Sequence, residues 1–271
     1  MKKNIKIGVI GFGNMGSASA EAISASGGYQ VLIYDQKKAK TKTAKGFQKA
    51  KNIEEIIQAC QILILAIKPQ DLGQFLRKNQ HLIIKNKPLL ISLLAGVSTK
   101  TIEAELAKVK VVRVMPNLAI KVKEGLTFVA AGSLATKNDL KLVKDIFSLM
   151  GKVIEGKEAL IDKITALSGS GPGFIYYFME SFYKTAIKMG FKKKDAKTMV
   201  AQTFKGASLL ASESDKDFFK LLDSVASPGG TTEAGISFFN QAKLSKKISQ
   251  GIYKAHGRAK KISSNTKRRK N

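Results

Sequence analysis

Nine residues near the start of the chain, Gly8-Val9-Ile10-Gly11-Phe12-Gly13-Asn14-Met15-Gly16, restrict its fold more than any other stretch. They overlap the apolar run Ile5–Ile10 and lead into Ser17–Ala25, which has helical composition. A Gly-x-Gly-x-x-Gly pattern at a strand-to-helix turn has physical reasons behind it. Gly11 permits the tight turn, Gly13 lets backbone approach a pyrophosphate, and Gly16 lets helix and strand pack closely. The helix start then presents free N–H groups and the positive end of its dipole to the phosphates. Alone the pattern is a weak signal; its place between a strand and a helix makes it a dinucleotide cradle.

The next hundred residues repeat that alternation. Ile5–Ile10, Val31–Tyr34, Ile62–Ile67, Leu89–Leu93 and Val109–Val114 have the length and aliphatic content of strands. Between them Ser17–Ala25, Ile53–Ala59, Leu72–Arg77 and Thr101–Lys108 read as helices, the last started by Ser98 or Thr99 with Glu103 and Glu105 in its first turn. Runs apolar throughout suit strands buried on both faces of a parallel sheet with crossover helices. Ligands bind at the carboxyl ends of such strands. Asp35 ends the second run and can accept from ribose hydroxyls, while Gln36, Lys37 and Lys38 follow at once and suit a 2′-phosphate, so NAD and NADP both stay open. Asn52 reads equally as an adenine contact and as a helix N-cap. Lys68, in Ala66-Ile67-Lys68-Pro69, stands where an anionic cofactor would pass. Ser92-Leu93-Leu94-Ala95-Gly96 and Arg113-Val114-Met115-Pro116-Asn117 end the fourth and fifth runs and suit a nicotinamide slot lined by backbone.

Past about Glu158 strand-like runs stop. Phe174, Phe178 and Phe182, with Ile175 and Met179, fall on one helical face, and Lys194–Leu210 and Leu244–Ile262 continue in helical composition. The chain therefore divides into a dinucleotide-binding α/β domain, 1–157, and an all-α domain, 158–271. The helical half has more apolar positions than its few helices can bury, which points to a partner chain. The net charge of +27 raises nucleic acid as a partner, but 42 of the 47 basic residues are lysine, and there is no tryptophan. Without arginine forks or aromatic platforms the charge reads as solvated surface. The basic tail 241–271 holds no acidic residue and reads as a frayed accessory. No apolar run is long enough to span a membrane, and Met1–Lys6 lacks a signal-peptide core, so a soluble cytoplasmic protein is expected. A lone Cys60 excludes an intrachain disulfide and a cysteine-based zinc site; it reads as a small core residue. No metal site is expected.

Two segments depart from ordinary helical sequence: Leu167-Ser168-Gly169-Ser170-Gly171-Pro172-Gly173-Phe174 and Ser227-Pro228-Gly229-Gly230-Thr231-Thr232. Pro172 fits a first helical turn. The glycines and hydroxyls of the second make an array of N–H and O–H donors suited to a small carboxylate. Taken with Gly-Phe-Gly-Asn-Met-Gly, Ala-Ile-Lys-Pro and Arg-Val-Met-Pro-Asn, these segments resemble the pyrroline-5-carboxylate reductase family, in that family's order, over roughly residues 5–255. The resemblance implies an α/β Rossmann-type N-terminal domain followed by an all-α C-terminal dimerisation domain, and an active site shared between protomers. It also implies reduction of 1-pyrroline-5-carboxylate to L-proline by NADPH or NADH, the last step of proline biosynthesis. By position, Gly11, Phe12, Gly13, Asn14, Met15 and Gly16, with Ala66, Ile67, Lys68 and Pro69, would hold the dinucleotide. Gly229, Gly230, Thr231 and Thr232 would take the substrate, with the Thr232 hydroxyl nearest the ring nitrogen, and Glu158 matches an acid near the substrate. A homodimer is implied, with rings of dimers left open. The chain departs from the family at Leu118-Ala119, where Thr-Pro is common, and at Asp217-Phe218, where His-Pro is common.

The residue inventory suits an imine. His81, in a polar stretch, and His256, in the basic tail, are the chain's two histidines and read as surface residues. A cyclic imine protonates near neutral pH and needs no strong general base, only a held carboxylate, a placed carbon and one hydrogen bond to nitrogen. The alternatives are a β-hydroxyacid dehydrogenase-like oxidoreductase, with Lys184 as the lysine to test, a non-catalytic dinucleotide-binding sensor, and a nucleic-acid binder acting through the tail.

Overall fold

The computed structural model describes residues 5–42 and 44–268. It divides into two compact units, one comprising Met1–Ser170 with Ala255–Asn271 and the other Gly171–Lys254.

The first unit is built on a sheet whose eight strands, among the described residues, run in the order β3-β2-β1-β4-β5-β6-β7-β8. They are β1 (Lys6–Ile10), β2 (Gln30–Tyr34), β3 (Gln48–Lys49), β4 (Ile62–Leu65), β5 (Leu89–Ser92), β6 (Val111–Pro116), β7 (Gly125–Ala131) and β8 (Gly151–Glu155). The five apolar runs become β1, β2, β4, β5 and β6, displaced by at most two residues. Pairing is parallel from β3 to β6, antiparallel between β6 and β7, and parallel again between β7 and β8.

Because successive side chains point to opposite faces, strands apolar throughout supply two cores at once. Ile62, Ile64, Val112 and Val114 join α1 (Asn14–Ala25) and α6 (Lys137–Ser148) on one face. Leu63, Leu65, Leu90 and Val111 join α3 (Ile53–Ala59), α4 (Leu72–Asn86) and α5 (Thr99–Glu103) on the other, while short α2 (Lys38–Lys42) buries nothing. Helix α4 runs nine residues past the expected end at Arg77, because Leu72, Leu76 and Ile83 keep one buried stripe through the polar stretch. Helix α5 is shifted toward the N-terminus. Ser98 caps it by accepting from the Thr101 N–H, and Glu103 ends it rather than starting it, its carboxylate accepting from the Ser133 N–H. After β8 the chain enters α7 (Ile161–Ile164) and a π turn over Thr165–Gly169.

The second unit holds α8 (Gly171–Lys188), α9 (Lys193–Glu213), α10 (Phe218–Asp223), α11 (Thr231–Gln241) and the start of α12 (Leu244–Arg268). Pro172 lies in the first turn of α8, where its missing N–H has no helical partner to lose. Phe182 meets Phe204 edge-on at 5.3 Å, fixing α8 against α9. Tyr176, Tyr177, Phe218, Phe219 and Phe238 stay exposed in the single chain, the apolar surplus expected of this half.

The C-terminal stretch is not frayed over its described part. Helix α12 continues to Arg268, Ala259 is buried, and the Ser263 hydroxyl donates to Asp162 Oδ1 at 2.8 Å. Arg269–Asn271, the end of the basic tail, lie outside the described residues. His81 is exposed as expected, but His256 is half-buried, with its Nε2 enclosed and lacking a partner among the described residues.

Cys60 ends α3 and is buried in the α3/α4 core, where desolvation pushes its thiol from 9.0 up to about 11, against the opposing charge of Lys6. At pH 8 only about one thiol in a thousand is then thiolate. The native protein is expected to resist thiol-specific alkylation at that pH and to react stoichiometrically once denatured; rapid labelling of folded protein would contradict this environment.

Candidate active site

The carboxyl ends of β2, β1, β4, β5 and β6 lie side by side on one edge of the sheet, as parallel pairing requires. The switch point falls between β1 and β4, where chain connections leave in opposite directions and a crevice opens. The three loop glycines serve distinct purposes there. Gly11 adopts φ +98°, and a Cβ on it would meet the Ala66 carbonyl oxygen at 2.6 Å. A Cβ on Gly16 would strike the Gly11 carbonyl oxygen, so this glycine lets α1 close on the strand ends. Gly13 has neither reason: its φ is −84°, and no protein atom lies within 4 Å of where its Cβ would be. What remains for Gly13 is close approach of a ligand to backbone. The Ser17 N–H bonds the Gly13 carbonyl, leaving the N–H groups of Asn14, Met15 and Gly16 as the free donors of the helix start. This cradle fits a pyrophosphate.

Asp35 is drawn inward. Its Oδ2 accepts from the Phe12 N–H at 2.7 Å and its Oδ1 from the Lys37 N–H at 2.8 Å, with Lys40 Nζ at 3.4 Å. The carboxylate thus braces the glycine loop against the turn after β2, and Lys37, Lys38 and Lys40, all exposed, follow it within five residues. Asn52 acts as the N-cap of α3, its Oδ1 accepting from the Glu55 N–H at 2.9 Å.

Ala66 continues β4 by donating its N–H to the Ile10 carbonyl, Ile67 turns into the α3/α4 core, and Pro69 starts a single 3-10 turn with exposed Lys68 at its head. After β5, Gly96 adopts φ +75°, and a Cβ there would meet Ile262 of α12 at 2.7 Å. Ala95 packs beside Met115, Phe128 and Ile161. Glu158 clamps the end of this loop: its Oε1 accepts from the Thr99 N–H at 2.8 Å and from Arg113 Nη1 at 3.0 Å, and its Oε2 from the Thr99 hydroxyl at 2.9 Å. Arg113 is buried, and its Nε and Nη2 have no partner among the described residues. Asn117 Oδ1 accepts from the Ala119 and Leu126 N–H groups, and its Nδ2 donates to Ser168 Oγ at 3.1 Å.

The second unit carries the remaining expected residues at the start of α11. Gly229 adopts φ +74° and donates its N–H to Glu233 Oε2 at 2.7 Å, while the Gly230 N–H donates to the Ser227 carbonyl at 2.9 Å. Both glycine N–H groups are therefore spent on loop shape. The Thr231, Thr232 and Glu233 N–H groups, with the two threonine hydroxyls, are the donors left at the helix start.

Sequence reasoning assigned no contact to the side chains of Glu233, Thr99, Arg113 and Ser168. An acid three residues after an N-cap is a recognisable signature for Glu233; the other three act through partners far away in sequence.

Comparison with known proteins gives two family models. One, described as pyrroline-5-carboxylate reductase dimerisation, matches residues 158–262, and another, described as NADP oxidoreductase coenzyme F420-dependent, matches residues 6–96. The chain is 37% identical over 272 residues to a pyrroline-5-carboxylate reductase of Methanosarcina acetivorans, covering 96% of this chain and 98% of that protein. It is 32% identical over 251 residues to pyrroline-5-carboxylate reductase 2 of Bacillus subtilis, covering 90% of each. Among solved structures, Plasmodium falciparum pyrroline carboxylate reductase with NADP bound superposes with a TM-score of 0.88 at 30% identity, covering 97% of this chain and 100% of that one.

Two substitutions separate packing from ligand approach. Gly16→Ala should destabilise the fold by about 1–3 kcal/mol through overpacking, whereas Gly13→Ala should melt like wild type yet lose dinucleotide affinity; thermal melts with cofactor titration check both. Glu158→Ala leaves buried Arg113 without its anion. With the carboxylate 25% exposed, the expected loss is about 2–3 kcal/mol, below the range for fully buried pairs, read from urea denaturation.

Proposed function

The chain belongs to the pyrroline-5-carboxylate reductase family, and from that premise we propose that it reduces 1-pyrroline-5-carboxylate to L-proline with NADPH or NADH, the final step of proline biosynthesis. The observation that carries this reading is the pair of donor arrays on the two units. One is a glycine loop whose Gly13 has no packing purpose, and the other is a helix start whose free N–H groups sit beside two threonine hydroxyls.

When bound, the reduced nicotinamide supplies a hydride to the C=N carbon of the protonated imine, so that the iminium becomes a secondary amine and the cofactor leaves oxidised. The chain's own residues have to place the reactants. Asn14, Met15 and Gly16 N–H groups take the pyrophosphate, and the loops Ala66–Pro69 and Ala95–Gly96 line the way to the nicotinamide. The Thr231, Thr232 and Glu233 N–H groups take the substrate carboxylate. The Thr232 hydroxyl accepts from the N–H of the ring nitrogen, whose proton is already in place, so no strong base is called for. Glu158 acts through Thr99 and Arg113, holding the loop that follows β5. A β-hydroxyacid dehydrogenase chemistry finds no support at Lys184, which is paired with Glu180 on the exposed face of α8.

NADPH is the cofactor this chain is proposed to favour. That preference rests on charge: three exposed lysines, Lys37, Lys38 and Lys40, follow Asp35 within five residues, where a 2′-phosphate would lie. The exposed aromatic side chains of the helical unit and its dimerisation-family match support a working homodimer. No described helix is long and apolar enough to cross a membrane, and a cytoplasmic enzyme is proposed with the biosynthetic role.

Turnover is tested by loss of nicotinamide absorbance with 1-pyrroline-5-carboxylate. Thr232→Ala should lower kcat/KM about tenfold or more, with cofactor affinity intact. Lys37→Ala combined with Lys38→Ala should lower kcat/KM for NADPH about tenfold and leave NADH within about twofold. No turnover with either cofactor, in protein that binds dinucleotide, would overturn the reductase reading in favour of a sensor.

A further inference from the structure

A hydroxyl at the far end of the cofactor edge has its polarity set by its neighbours. Asn117 Oδ1 accepts from two backbone N–H groups, those of Ala119 at 3.2 Å and Leu126 at 3.4 Å. A carboxamide whose oxygen faces two donors must turn its nitrogen the other way, and here that nitrogen meets Ser168 Oγ at 3.1 Å. Ser168 is therefore obliged to accept, and its own proton has no acceptor among the described residues. We infer that the Ser168 hydroxyl donates to the carbonyl oxygen of the nicotinamide carboxamide, with Asn117 as the residue that aims it. This rests on the cofactor reading given above.

Three observations support that ligand. Asn117 follows β6 directly, on the same edge as Asp35, Gly11, Ala66 and Ala95. With the adenosine end at β2 and the pyrophosphate at β1, the rest of the dinucleotide runs over β4 and β5 toward β6. Ser168 also lies within the π turn Thr165–Gly169, closed by the Ser170 N–H to the Thr165 carbonyl at 2.9 Å. Such single turns recur at functional sites because the extra residue re-aims side chains. Finally, Ser168 is half-buried between the exposed residues Leu167 and Gly169, and its bond to Asn117 holds its hydroxyl on the β6 side of the turn. A carboxamide carbonyl needs a donor, which is what the forced polarity supplies.

The rival is that the Asn117–Ser168 bond only staples the π turn to β6. Calorimetric titration of the full-length protein with NADPH and with 2′-phospho-ADP-ribose, which keeps the phosphates and adenosine but has no nicotinamide, separates the two. Ser168→Ala should weaken NADPH about 3- to 10-fold and leave 2′-phospho-ADP-ribose within about twofold. Asn117→Asp is the sharper variant. Its carboxylate still accepts from Ala119 and Leu126, but it now also takes the Ser168 proton, so the staple survives while the donor is spent. The same selective loss of NADPH is expected, and Ser168→Thr should restore affinity. If either Ser168→Ala or Asn117→Asp binds NADPH as wild type does, or weakens both ligands equally, the assignment falls. Wild type binding neither ligand would overturn the cofactor reading itself, and this inference with it.

Discussion

Backbone-on-backbone approach at the ends of β1 and β4 is the constraint on which the rest depends. Gly11, Gly16 and Ala66 meet there with no room for a side chain at either glycine. That contact seats α1 against the sheet, and seating α1 points its first N–H groups along the carboxyl edge. Gly8 extends the same economy to the opposite face, where a Cβ would meet Ile56 and Leu63 at 2.8 Å, so α3 also lies close. Because a parallel sheet puts all its carboxyl ends on one side, one close-packed corner fixes the direction in which every later loop offers its donors.

Within each unit the polar groups are divided between bracing and binding, and the division follows from hydrogen-bond capacity. A carboxylate has only acceptors to give, so Asp35 takes two backbone N–H groups, Glu158 takes the Thr99 N–H and hydroxyl and Arg113, and both hold loops in shape. Glu233 does the same for the Gly229 N–H at the start of α11. Each negative charge is thereby absorbed by the protein instead of facing a ligand that is itself anionic. What remains outward is donors: N–H groups at two helix starts, threonine and serine hydroxyls, and lysine side chains. An anionic cofactor and an anionic substrate require that asymmetry.

Much of this was legible in the sequence, and the parts that were not share a cause. The five buried strands announce themselves because both their faces are apolar, and Gly11–Gly16 because a turn, an approach and a packing contact each need a glycine. Strand β7 escaped because Gly-Leu-Thr-Phe-Val-Ala-Ala begins on glycine and mixes in Thr127, and β8 because Gly-Lys-Val-Ile-Glu is short and largely exposed. Neither has the continuous apolar character of a central parallel strand, and β7 reverses direction. The extension of α4 was hidden by a polar stretch that turned out to be the outward face of a longer stripe. The roles of Thr99, Arg113 and Ser168 were beyond local reading, since each is defined by a partner 45 to 59 residues away. His256 was misjudged because a basic, acid-free stretch looks solvated residue by residue, whereas helical periodicity gives even a lysine-rich helix one packed side, here Ala259 and Ser263.

The departures from the family pattern can be weighed on the same physical terms. After Asn117 the chain has Leu118-Ala119, yet the contacts at this corner come from the Asn117 side chain and from the Ala119 and Leu126 backbones. An alanine supplies that N–H where a proline could not, so here the substitution adds a donor and fixes the orientation of the amide more firmly. Asp217, in place of the family's histidine, caps α10 by accepting from the Lys220 N–H at 2.8 Å, a role for which aspartate is the better residue. Both changes are absorbed by local hydrogen bonding, and neither removes a donor that the imine chemistry requires. With the carboxylate held and the nitrogen already protonated, orientation is the larger share of what such an enzyme must supply. Orientation is what this chain's braced loops are built to give.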